Sequence, residues 1–156
     1  MSCQDCLSRR EFLTKSTLAV AGAAAIVAGC GDGQIGGVTA PILTSPLSFK
    51  VSAVPALATV GLLAYVPTDR RVAVKRTGPD TFLALSTTCT HEGTMIAIVN
   101  NNTSFECPNH GARYDSNGNV TRQPQASGSA TNLPTYQTSY DVATDTLTIS
   151  SVFATT

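Results

Sequence analysis

The chain has 156 residues, enough for one domain and little more. It is 42% hydrophobic and only 13% charged, and ten basic side chains balance ten acidic ones. A formal charge of zero with no basic patch excludes a nucleic-acid surface, and the lack of an acidic run excludes a disordered tail.

At the amino terminus, residues 8–15 read SRREFLTK and closely resemble a twin-arginine export signal, with Arg9 and Arg10 as the pair. An alanine-rich apolar run over residues 18–29 follows. A positive segment before a short apolar one describes a bacterial signal peptide; the plainer alternative is the start of a surface helix. Residues 27–30, VAGC, resemble a lipobox, which would make Cys30 a lipidated first residue and hold the protein at a membrane. Cleavage without lipid and a retained anchor are the alternatives, although the apolar run falls short of the roughly 20 residues that a span needs. Cys3 and Cys6 form a C-x-x-C that a cleaved leader would discard.

Residues 31–46, rich in Gly, Thr, Ser and Pro, read as a linker. As a flexible coil it would span roughly 20–25 Å, either as a tether for a swinging carrier or as a spacer above lipid headgroups. The folded domain is expected over residues 47–156.

From residue 47 the pattern is short strands and turns. Residues 49–53 alternate as a half-buried strand should. Apolar runs at 62–66 and 72–75 flank the turn sequence PTDR at 67–70, and another run covers 81–85. Residues 95–99 and 103–107 flank Asn100, Asn101 and Asn102, a plausible hairpin. Residues 136–142 and 146–150 close the domain around a turn at 143–145. No helical periodicity follows residue 47. Many short strands at even spacing predict an all-β sandwich or barrel.

The chemistry lies in Cys89-Thr90-His91 and Cys107-Pro108-Asn109-His110-Gly111, with fifteen residues between His91 and Cys107. His91 and His110 are the only histidines in the sequence. Two cysteines and two histidines in this alternating order are what a Rieske 2Fe–2S cluster needs, one iron keeping the thiolates and the other the imidazoles. A structural zinc site more often pairs like with like. A Cys89–Cys107 disulfide and a Cys–His nucleophile pair are the remaining readings.

Residues 86–115, STTCTHEGTMIAIVNNNTSFECPNHGARYD, resemble the Rieske iron–sulfur protein family closely, and the surrounding hundred or so more loosely. The resemblance implies a 2Fe–2S cofactor with Cys89 and Cys107 on one iron and His91 and His110 on the other. It also implies a small all-β domain built from antiparallel sheets, with a cluster-binding subdomain near residues 86–130 at one tip, and one-electron transfer rather than substrate turnover. Respiratory members resemble CTHLGC and CPCHGS, with the extra cysteines joined in a disulfide. Here those positions are Thr94 and Asn109, so packing and hydrogen bonds must hold the loops together. The serine that donates to a cluster sulfur is Ala112, while the tyrosine that donates to a ligand sulfur is kept as Tyr114. Gly128-Ser129-Ala130 resembles the family's Gly-Pro-Ala shielding loop without its proline, so a freer loop is expected.

Histidine ligation places such centres at roughly −150 to +300 mV, against about −400 mV for plant-type ferredoxins. The outer nitrogens of both histidines are expected to face solvent at the tip, and a partner to dock there over Met95 and Ala112. The partner would be a cytochrome, a quinol-oxidising complex or a periplasmic oxidase, an arsenite-oxidase-type assembly among them. An oxygenase module would need a second iron on two more histidines and a carboxylate, and the sequence has no more. A cytosolic ferredoxin conflicts with the leader, and a non-redox structural lipoprotein is the last alternative.

Overall fold

A computed structural model describes residues 41–151. The signal-like segment, Cys30 and linker residues 31–40 lie outside the described residues. Among those described there are ten strands and no α-helix. No helix among them is long and apolar enough to cross a membrane.

Six strands form one antiparallel sheet. They are β1 (Leu47–Lys50), β2 (Leu63–Val66), β3 (Asp69–Arg76), β4 (Phe82–Ser86), β9 (Thr135–Asp141) and β10 (Thr146–Ser150), in the order β1-β10-β9-β4-β3-β2. Four shorter strands, β5 (Ala97–Val99), β6 (Ser104–Glu106), β7 (Arg113–Asp115) and β8 (Val120–Arg122), pair in sequence as a second antiparallel sheet. The larger sheet is a base, and the smaller one carries the two motif loops.

Strands β2, β3 and β4 of the base are largely buried on both faces, which explains their apolar runs. Ala64, Val66, Val72, Val74, Phe82 and Ala84 enter one core with Tyr136, Leu147 and Ile149. Leu63, Ala73 and Leu85, one residue out of phase, enter a second core with Phe105, Tyr114, Ile96 and Leu133 of the loop-bearing part. Cys89 and Cys107 lie in that second core. Period-two alternation thus gives each central strand two apolar faces.

Polar ties fix the two sheets to each other. The Tyr65 hydroxyl donates to Ile96 O at 3.1 Å and accepts from Ile98 N–H at 2.9 Å. Leu63 N–H donates to Asn102 O at 2.8 Å, pinning the Asn100–Asn102 turn. All three asparagines of that turn have positive φ, a region that Asn enters more readily than most residues. The buried Lys75 reaches Ser116 Oγ at 3.2 Å and also bonds Asn117 Oδ1.

Three expectations need correction. The first strand ends at Lys50, and Val51–Ala53 is a 3-10 turn. The sheet partner runs out at the Lys50–Thr146 pair, after which Val51 N–H and Ser52 N–H bond Asp145 instead. β7 and β8 had no sequence signal, because three residues are too few to show alternation. The fold also begins before residue 47: Leu43 is buried in the first core, and Tyr136 Oη donates to Pro41 O at 3.0 Å.

Candidate metal centre

Cys89 hangs between β4 and β5, and Cys107 between β6 and β7. The two loops are built alike. Gly93 N–H donates to Cys89 O at 2.8 Å, and Cys89 N–H to Thr94 O at 2.8 Å. In the second loop Gly111 N–H donates to Cys107 O at 3.0 Å, and Cys107 N–H to Ala112 O at 2.8 Å. Each turn closes on a glycine of positive φ, 74° at Gly93 and 67° at Gly111, where a side chain would be strained. A Cys-x-x-x-Gly repeat at 89–93 and 107–111 is thus a sequence signal of this geometry that the ligand spacing passes over.

The loops bring the Cys89 and Cys107 thiols together and the His91 and His110 rings together. Cys89 and Cys107 are free, buried thiols, so no disulfide joins them. The His91 and His110 rings lie 5.1 Å apart between centroids, at 75°. Burial pushes the Cys107 thiol up, opposed by the backbone N–H groups of Asn109 and His110. Burial, and then the hydrogen bond to Cys89, push the Tyr114 phenol up to about 12. Its hydroxyl stands 3.3 Å from Cys89 Sγ and 3.2 Å from Thr90 Oγ1. Thr90 gives its own hydrogen to Thr131 O at 2.6 Å. The Tyr114 hydrogen is therefore the one available to be shared between Thr90 and the sulfur.

Residues 50–137 match the model of the Rieske [2Fe-2S] domain. The chain belongs to the Rieske family. It is also similar to the crystal structure of the cyanobacterial plasma membrane Rieske protein PetC3 from Synechocystis PCC 6803. That similarity has 26% identity and a TM-score of 0.48, over 68% of this chain and 98% of the other. No curated protein matches the chain. The Rieske cofactor is a 2Fe–2S cluster, which selects between the cluster and zinc readings of the motif.

The donor atoms fit that cofactor. A carbonyl can only accept, so His91 Nε2, 2.9 Å from Ser127 O, carries the proton. Its Nδ1 is then left as the lone-pair nitrogen, the way an outer hydrogen bond fixes a metal-binding tautomer. His110 Nδ1 is buried without a hydrogen-bond partner. It lies 3.5 Å from a Glu92 carboxylate oxygen, an ion-pair distance outside hydrogen-bond geometry. Unpaired buried nitrogens are costly, and a metal would satisfy this one.

Glu92, which the sequence reading did not single out, spans the two loops. Asn109 Nδ2 donates to its Oε2 at 3.2 Å, so a hydrogen bond from one of the two disulfide positions links the loops. With His91 and His110 it forms a trio of ligand atoms within 4.8 Å of one another. Both histidines of that trio belong to the cluster motif, so it is no independent second iron site.

Two further expectations differ from the structure. The His91 side chain is only 5% exposed, against 30% for His110, so the outer nitrogens are not equally open. Ala112 is fully buried and cannot offer a docking surface, whereas Met95 is 52% exposed. The 123–131 loop, expected to be freer for want of a proline, is tied across its base by Gln123. The Gln123 amide accepts from Ala130 N–H at 2.8 Å and donates to Ala130 O at 3.2 Å.

Proposed function

We propose that the protein is an exported, membrane-tethered one-electron carrier or carrier subunit, with Cys89 and Cys107 holding one iron and His91 and His110 the other. When bound, the cluster supplies a single-electron couple at the histidine-ligated iron. The chain's own residues do the rest. The paired glycine-closed turns set the four donors, Phe105 and Ile96 help exclude water, and Tyr114 presents its hydroxyl to the Cys89 sulfur.

The observation that carries the reading is that His91 and His110 are the only histidines of the chain. Once both serve the cluster, none is left for the mononuclear iron of an oxygenase. Electron transfer is then the function, and its partner is a cytochrome, a quinol-oxidising complex or a periplasmic oxidase. Nucleic acid is not a partner, on charge grounds. The twin-arginine-like residues 8–15 and the lipobox-like residues 27–30 support export and attachment to the periplasmic face of a membrane through Cys30. A cofactor loaded in the cytosol needs an export route for folded cargo.

Fractionation with low-temperature EPR tests this. A Rieske signal is expected in the reduced periplasmic membrane fraction. Replacing Arg9 and Arg10 with lysine should strand it in the cytoplasm, and Cys30→Ala should release it from the membrane. A signal that stays cytoplasmic in the native protein overturns the export reading. Stoichiometric zinc without iron overturns the ligand assignment.

A further inference from the structure

The second motif loop has a side chain fastened to it from the end of a neighbouring strand. Arg122 is the last residue of β8, and its Nε donates to Gly111 O at 2.7 Å. Gly111 has φ +67°, and a Cβ built there would run into Arg122 Nη2 and lie 3.5 Å from its Cζ. The guanidinium therefore takes the space that a side chain at 111 would need. Gly111 N–H closes the same turn on Cys107 O at 3.0 Å, with His110 just before it in the chain. His110 O in turn accepts from Gln125 N–H at 2.8 Å. Two successive carbonyls of the turn are thus held by residues 122–125. Arg122 also brings charge, which a guanidinium keeps at any ordinary pH. Its Nη2 lies 3.7 Å from Glu106 Oε1, an ion-pair distance too long for a hydrogen bond, whereas Arg113 Nη2 reaches Glu106 Oε2 at 3.2 Å. One carboxylate facing two guanidiniums leaves a positive excess, and Arg122 is the less neutralised of the two.

We propose that Arg122 is a positioning residue of the centre: latched to Gly111 O, it holds the turn that carries Cys107 and His110 and fixes a positive charge on that turn. The inference rests on the electron-transfer reading and deepens it by naming a residue outside the motif that acts on the centre through a ligand loop. The reduced cluster carries one more negative charge than the oxidised one, so a cation fixed on a ligand loop favours reduction. The glycine at 111 then serves twice, once for its positive φ and once as the seat of the guanidinium.

Potentiometric titration and iron release to a chelator, measured on full-length holoproteins, test this. Arg122→Met keeps an unbranched stem but removes both charge and donor. It should weaken reduction roughly threefold, about 30 mV for one electron, the scale of one partly exposed charge. It should also release iron about tenfold faster, as the loss of one charge-assisted hydrogen bond on a ligand loop implies. Arg122→Lys keeps the charge and should return most of the midpoint shift. Arg113→Met removes the same charge from the paired position on β7, which does not hold Gly111 O, and should do less on both counts. A merely structural role of Arg122 would lower the urea stability of Arg122→Met without moving its midpoint. A folded Arg122→Met protein with an unchanged midpoint overturns the proposal, as does a lysine variant that matches the methionine one. An equal shift in Arg113→Met overturns it too, by making net charge rather than position the cause. Wild-type protein that purifies without iron and sulfide fails the cofactor reading instead, and the metal assay on the same samples tells the two failures apart.

Discussion

The Tyr114 hydroxyl lies 3.3 Å from the sulfur of Cys89, and its ring is fully buried behind that sulfur. One side chain thus fills the second core and aims a donor at a ligand of the proposed cluster.

That donor should set the potential. The reduced cluster carries one more negative charge than the oxidised one, so a hydrogen bond to sulfur favours reduction. A bond to a charged group is worth about 1.5 kcal/mol or more, and 59 mV is tenfold for one electron, so each donor should shift the midpoint by about +50 to +100 mV. Tyr114→Phe should lower the midpoint by such a step, and Ala112→Ser should raise it. Potentiometric titration of the three proteins side by side measures this. An unchanged midpoint in a folded Tyr114→Phe protein would leave Tyr114 as packing alone.

The four proposed ligands should be individually necessary. Native protein should hold about two irons and two acid-labile sulfides per chain. Cys89→Ser, His91→Ala, Cys107→Ser and His110→Ala should each abolish the Rieske EPR signal. A variant that keeps an unaltered signal removes that residue from the ligand set.

Tyr65 should support the first loop through stability rather than redox chemistry. Tyr65→Phe removes the acceptor for Ile98 N–H and the donor for Ile96 O. Leaving part-buried backbone groups unpaired costs about 1–3 kcal/mol. Urea unfolding should show that loss, with the midpoint potential nearly unchanged. A potential shift as large as that of Tyr114→Phe would mean that Tyr65 also acts on the centre.

Acid should weaken the far end of the base sheet through Asp145. Its carboxyl is held down at about 2, from an ordinary 3.8, first by Ser52 and then by the Tyr140 hydroxyl. Its Oδ2 accepts from Ser52 N–H at 2.9 Å and its Oδ1 from Tyr140 Oη at 2.8 Å. A folded-state value below the unfolded one stabilises the fold above the unfolded value, and the gain disappears as pH falls through the folded value. The stability gap between the wild type and Asp145→Asn should therefore be full near neutrality and close between pH 3.8 and about 2. Thermal melts across that range measure it, and a gap independent of pH would contradict it.

The sequence by itself determined the all-β class and the Rieske cofactor, and it named the four proposed donor residues. Each is carried by local pattern: alternation with turn residues, or two Cys–His half-motifs in a fixed frame. The Asn100–Asn102 hairpin was legible for the same reason, since asparagine states its backbone preference locally. Tertiary structure alone decided the rest. The strands β7 and β8 exist because β6 offers a pairing edge, not because three residues specify a strand. Nothing local marks Glu92; it is Asn109 of the other loop, brought against it by folding, that makes it a link between the loops. The inequality of the histidines depends on a backbone carbonyl at Ser127, thirty-six positions from His91, and a carbonyl is present at every residue. Sequence names side chains, but it does not say which backbone groups long-range folding will bring against them.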